Sequence, residues 1–149
     1  MDALSDVLRS VRLKGAVYID ARFTAPWCIY SQLATEHCRM VMRNASQMIS
    51  YHYITVGRMH VWVDGHEPVQ VEAGDLVVLP RNDRHYLASE FGLPAFEGRK
   101  LVVPSEDGGF GRVNYGGGGE PAELVCGFLG SEDQYSPLIS ALPPIIKIN

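Results

Sequence analysis

From Gly15 onward, short runs of apolar, β-branched or aromatic residues are cut at close intervals by glycine, proline, asparagine or aspartate. GAVYID, RFTAPWC, ISYHYITVG, RMHVWVDG, PVQVEAG, LVVL and ELVCGFLG each have the length and composition of one strand. Pro26 demotes the second of these to an edge or a bulge, because proline cannot donate to a ladder. RMVM near residues 39–42 and the run 100–103 add short apolar candidates. ISYHYITVG and RMHVWVDG meet at Gly57 and predict a hairpin. Two stretches break the pattern. Leu4, Val7, Leu8 and Val11 recur at helical spacing behind a capping Asp2, predicting an N-terminal helix. PLISAL, entered through Ser136-Pro137, predicts a short C-terminal helix. Roughly ten short strands with turn signals between them predict an all-β fold, an antiparallel sandwich or jelly-roll barrel with a helix at the front.

Composition narrows the function classes. The 149 residues form one domain, 1–149, with 46% hydrophobic and 20% charged positions, an ordinary globular balance. A net charge of −4, with Lys and Arg dispersed, argues against this chain gripping nucleic acid by itself. No apolar run approaches a membrane span, and MDALSDVLRS is too polar for a signal peptide. Three cysteines, Cys28, Cys38 and Cys126, lack C-x-x-C spacing and read as reduced thiols of a cytoplasmic protein. The tetraglycine loop in GRVNYGGGGEP has no GK[ST] ending and is followed by a strand, so it is not a phosphate cradle.

The most informative stretch is GDLVVLPRNDRHYLAS, residues 74–89. Gly74 and Asp75 make a turn, LVVL a buried strand, Pro80 its stop, and Asn82 and Asp83 a second turn before His85 opens a new strand. The spacing from Gly74 through Pro80 to His85 resembles the second signature motif of the cupin superfamily, whose histidine is a metal ligand in metal-bearing members. The first motif is degraded here. With Gly57 as its closing glycine, its glutamate position falls at Ser50 and its histidine positions at or beside Asn44 and Ser46, none a competent ligand set. A lone imidazole does not hold a transition metal, so neither metal nor other cofactor is expected. If a site exists, His52, His85 and Cys126 are its donors. His52 shares a strand face with Ser50, and Cys126 sits on a late strand that could cross the cavity. Single Cys and His residues are far more often structural, so the leading expectation is that each is isolated, His52 a hydrogen-bonded pocket histidine and Cys126 a small buried hydrophobe. The adjacent pair His37-Cys38 points opposite ways on an extended chain and reads as loop. No serine elbow and no diagnostic Cys–His spacing supports nucleophilic catalysis.

Trp27, His52, Trp62, His85 and Cys126 are the candidates for a ligand pocket, with Tyr86, facing away from His85, the weakest by type. Beyond the motif, the chain resembles the N-terminal effector-binding and dimerisation domains of AraC-type transcriptional regulators. MDALSDVLRSVRLKGAVYIDARFTAPWC, HYITVGRMHVWVDG, the AGDLVVLPRNDRH run, GGGGEPAELVCGF and SPLISALPPIIKI carry the likeness. It implies a cupin-like double-stranded β-helix, an unknown small-molecule effector in the barrel, a homodimer and no enzymatic activity. DNA contact would be made only through a C-terminal helix-turn-helix domain beyond residue 149. The apolar ending IIKIN reads as an internal position of a longer protein. The competing readings are a small metal-dependent cupin enzyme of dioxygenase or isomerase type, and a dimerisation domain whose barrel is filled by side chains.

Overall fold

A computed structural model describes residues 14–32, 47–106, 110–131 and 137–149. The expected N-terminal helix, the RMVM strand, His37-Cys38, Asn44 and Ser46 lie outside the described residues. The rest is almost entirely β: β1 Lys14–Thr24, β2 Cys28–Ser31, β3 Gln47–Val56, β4 Arg58–Val63, β5 Val69–Glu72, β6 Leu76–Leu79, β7 His85–Ala88, β8 Phe96–Glu97, β9 Gly111–Gly116, β10 Pro121–Ser131 and β11 Ile146–Ile148. One sheet runs β11-β6-β3-β10-β1-β9 and the other β5-β4-β7-β2-β8. Most pairs are antiparallel, but β1 with β9 and β2 with β8 are parallel. The helix expected over PLISAL amounts to one turn, α1, Pro137–Ser140.

Alternation along the strands builds the space between the sheets. Val77 and Leu79 of β6, Ile54 of β3, Leu124 of β10, Met59 and Val61 of β4 and Leu87 of β7 are at most 2% exposed and pack into one cluster with Phe23 and Trp27. The odd residues of β3 face out, where Ile49 packs with Val78, Leu129 and Ile139. Strand β11 pairs with β6 there, and Lys147 reaches Asp75 at 3.6 Å.

Two expectations need correction. β3 and β4 do not form a hairpin: they belong to different sheets, and Gly57 is the corner between them. One residue is too short for a hairpin loop, and Gly57, at φ +75, packs against the Pro121 backbone where a Cβ would collide with the Pro121 carbonyl. The run 100–103 is not a strand either. Its start belongs to a single 3₁₀ turn, Gly98–Leu101, and only Val103 bridges to Arg112.

The tetraglycine loop has a packing role. It lies on the backbone around the Ala25-Pro26 peptide, with Gly117 N–H donating to the Thr24 carbonyl at 2.9 Å and Gly119 N–H to the Ala25 carbonyl at 2.8 Å. The Gly118 N–H adds a bond to Thr24 Oγ1 at 2.9 Å. At Gly116, φ +138, a Cβ would strike the Thr24 carbonyl. The glycines are there because backbone meets backbone.

Candidate functional site

His52, His85 and Cys126 meet between the sheets. Strand register does most of the work. Cys126 on β10 lies opposite His52 on β3, and both point to the face that also carries Val77 and Leu79. His85 comes from the other sheet at the start of β7. Its turn is held by the Asn82 N–H donating to the Leu79 carbonyl at 3.0 Å, by the Arg81–Asp83 ion pair at 3.3 Å, and by Gln32 Nε2 donating to the Asn82 carbonyl at 3.2 Å. Asn82 takes the left-handed conformation, φ 54, which asparagine tolerates better than most residues. The turn therefore aims the Asp83 carbonyl at the ring of His85.

The contacts fix the protons. His85 Nδ1 lies 2.9 Å from the Asp83 carbonyl oxygen, which only accepts, so Nδ1 carries hydrogen and donates. In a neutral ring His85 Nε2 is then bare and accepts from His52 Nε2–H at 2.7 Å. His52 Nδ1 is in turn bare and accepts the Cys126 S–H at 3.0 Å. The result is a one-way chain, Cys126 to His52 to His85 to the Asp83 carbonyl, with every ring nitrogen used and no formal charge.

Burial enforces that neutrality. His52 and His85 are 3% and 0% exposed. Loss of water holds His52 well below the usual imidazole range, with the neighbouring His85 adding to it. His85 is lowered to about 4 by the same burial, against the pull of the Asp83 carbonyl and charge. Burial, followed by the negative charge of Asp20, pushes the Cys126 thiol far up. Such a thiol stays protonated and is a poor nucleophile.

The other pocket candidates lie elsewhere. Trp27 is buried and stacks on Phe23, ring centroids 4.1 Å apart. Phe23 pairs with Ala122, four positions along β10 from Cys126, or about 13 Å of strand. Trp62 stands on the outer face of the five-stranded sheet, stacked on Tyr86 at 5.3 Å and tilted against Phe91. Tyr86 faces away from His85, as alternation requires, and joins an aromatic row with Tyr30, over which the Arg84 guanidinium lies at 3.9 Å. An apolar groove of about 240 Å³, lined by Ile49, Tyr51, Leu76, Val78, Leu129, Ile148 and neighbours, lies on the opposite face of β3 from the histidines.

Residues missed by sequence reasoning are Asp83, whose carbonyl anchors the chain, and Ser50 as a present polar group. Ser50 is 3% exposed and its Oγ has no hydrogen-bond partner. Residue type alone does not signal an acceptor supplied by backbone.

A cupin family model matches residues 2–149. The chain belongs to the cupin family. Neither the curated proteins nor the solved structures yield a match.

Many cupins hold a metal between their sheets, and the donors of this cupin do not suit one. His52 turns one nitrogen to each neighbour, so Cys126 and His85 lie on opposite sides of its ring and cannot share an ion with it. Two imidazoles bound to one tetrahedral ion at about 2.0–2.1 Å hold their nitrogens about 3.3 Å apart, wider than the 2.7 Å between the two Nε2 atoms. Among the described residues no group of three or more His, Cys, Asp or Glu is placed to hold a metal ion. The three candidates are together, but in line and not around a point.

Proposed function

We propose that this cupin is the effector-sensing and dimerisation module of an AraC-type transcriptional regulator, not an enzyme. The observation that carries the reading is the closed hydrogen-bond chain. With the thiol protonated and each ring nitrogen used, it offers no free base, no activated nucleophile and no open metal position. In this reading the buried histidines and thiol are structural polar groups of the module and carry no chemistry. The end-to-end likeness of the sequence to that branch of the cupins supports the regulatory context. The module acts as a homodimer in the cytoplasm, and DNA is contacted by a helix-turn-helix domain following residue 149. The effector controls that domain by its differential affinity for two arrangements of the module. Among the described residues no helix is long and apolar enough to cross a membrane.

Sequencing the reading frame past Asn149 tests the assignment. Two helix-turn-helix patterns are expected, and a stop codon overturns it. The rival reading, a metal-dependent enzyme, is tested by metal analysis of the purified protein. No stoichiometric metal is expected; zinc, iron or nickel at one equivalent, lost in His85→Ala, would establish the rival.

A further inference from the structure

The outer face of the six-stranded sheet carries the apolar groove of about 240 Å³. Ile49 of β3, Val78 of β6, Leu129 of β10, Leu142 behind α1 and Ile148 of β11 are among its walls, and no described residue that lines it is charged. Apolar surface left open to water is unfavourable, so such a groove calls for an apolar cover. The path of the chain says which. Lys14, where β1 begins, lies opposite Gly130 of β10, beside Leu129, and Leu129 lies opposite Ile49. Gly15, opposite Leu129, has no side chain to stand between the entering chain and the groove. Ahead of Lys14, Leu4, Val7, Leu8 and Val11 make one apolar stripe at helical spacing, with Asp6 and Arg9 on the other side. At about 1.5 Å per residue, a helix covers about 14 Å from Leu4 to Leu13. The steps from β1 across β10 and β3 to β6 come to about 14 Å as well. Residues 33–46 join the same end of the sheet at Gln47, but Met40, Val41 and Met42 follow one another and would spread around a helix.

We propose that the outer groove is the docking site of this chain's own N-terminal segment: residues 2–13 form an amphipathic helix that lays its apolar stripe on the groove of the same molecule, Val11 toward Leu129 and Leu4 toward Val78. The helix ties the entry of β1 to α1 and β11, because Ile139 of α1 packs on Ile49 and β11 supplies the wall at Ile148. It docks in this way whether or not the module controls a DNA-binding domain.

Hydrogen exchange read by mass spectrometry on the 149-residue protein tests the docking. A helix of this length is marginal in water by itself, so slow exchange over residues 4–11 is expected only while it is docked. Leu8→Glu is expected to speed exchange about tenfold or more, both over residues 4–11 and over residues 137–149. Arg9→Glu puts the same charge on the far side of the helix and is expected to leave residues 137–149 at the wild-type rate. From the groove side, Leu142→Glu is expected to speed exchange over residues 4–11. Strands β4 and β7, in the other sheet, are expected to change less than residues 137–149 in every variant. Fast exchange over residues 4–11 in the wild type overturns the proposal, as does an unchanged rate over residues 137–149 in Leu8→Glu. Acceleration of β4 and β7 equal to that of residues 137–149 also overturns it, since the loss is then not local. Protection that rises with protein concentration over about a hundredfold range places the helix on a second copy and overturns docking within one molecule.

Discussion

Acidification exposes the cost of keeping two histidines neutral inside the sandwich. Take the pH from 7 to 5. In the unfolded chain His85 has the ordinary value of 6.5 and protonates across that interval, whereas in the fold it is held to about 4 and stays neutral. Protons therefore bind the unfolded state first, and stability falls with pH. The full interval from 6.5 to about 4 is worth about 3 kcal/mol, of which about 2 kcal/mol is lost by pH 5, before most carboxylates titrate. His52, lowered in the same direction, adds to the loss. Below about pH 4 the contribution of His85 levels off. Urea melts at pH 7, 6 and 5, read as ΔG of unfolding, measure it in wild type and in His85→Gln, whose amide can still accept from His52 Nε2. The wild type is expected to weaken steadily with acid and the variant to weaken by about 2 kcal/mol less between pH 7 and 5. A wild-type stability that is flat over that range, or that rises as pH falls, would refute the neutral chain.

Other expectations follow from the same geometry. Cys126, protonated and 8% exposed, is expected to resist iodoacetamide at pH 8 in the native protein and to react in denaturant, with intact-mass and peptide mapping as the readout. Gly116→Ala drives a Cβ into the Thr24 carbonyl at a left-handed φ, and is expected to lower stability by about 3 kcal/mol or more in urea melts. Asp75→Asn removes the charge facing Lys147 and weakens acceptance from the Glu72 N–H. It is expected to cost about 1–2 kcal/mol and to speed hydrogen exchange in β11 more than in β10.

How much of this could be read from the residues depends on how local the signal was. LVVL between Gly74 and Pro80 gave a strand, its turn and its stop, because each rests on neighbouring residues alone. The Gly57 corner was opaque for the opposite reason. Two strands joined by a glycine look like a hairpin unless one knows that Pro121, distant in sequence, presses on that glycine from another strand. The tetraglycine loop likewise carries a plain negative signal, no phosphate motif, while its positive reason lies in the backbone at 24–26, about a hundred residues away.

The site divides along the same line. Period-two alternation from Ser50 put His52 on the inner face, but the favoured expectation left His52 and Cys126 isolated, and their contact with each other and with His85 corrects it, because it depends on register between strands distant in sequence. Trp62 was not legible either, since a tryptophan is as much at home on an outer face stacked on Tyr86 as in a pocket wall. What decides the chemistry was also hidden, because it is a matter of which nitrogen faces which neighbour. Had His52 and His85 turned their Nε2 atoms toward a common point beside Cys126, the same three residues would have made a zinc site. The Asp83 carbonyl settles the choice by taking the proton of His85 Nδ1, which leaves Nε2 to accept from His52 and so draws the thiol proton inward. A backbone oxygen, placed by the turn that follows Pro80, thus turns a donor set suited to metal into a neutral hydrogen-bond chain.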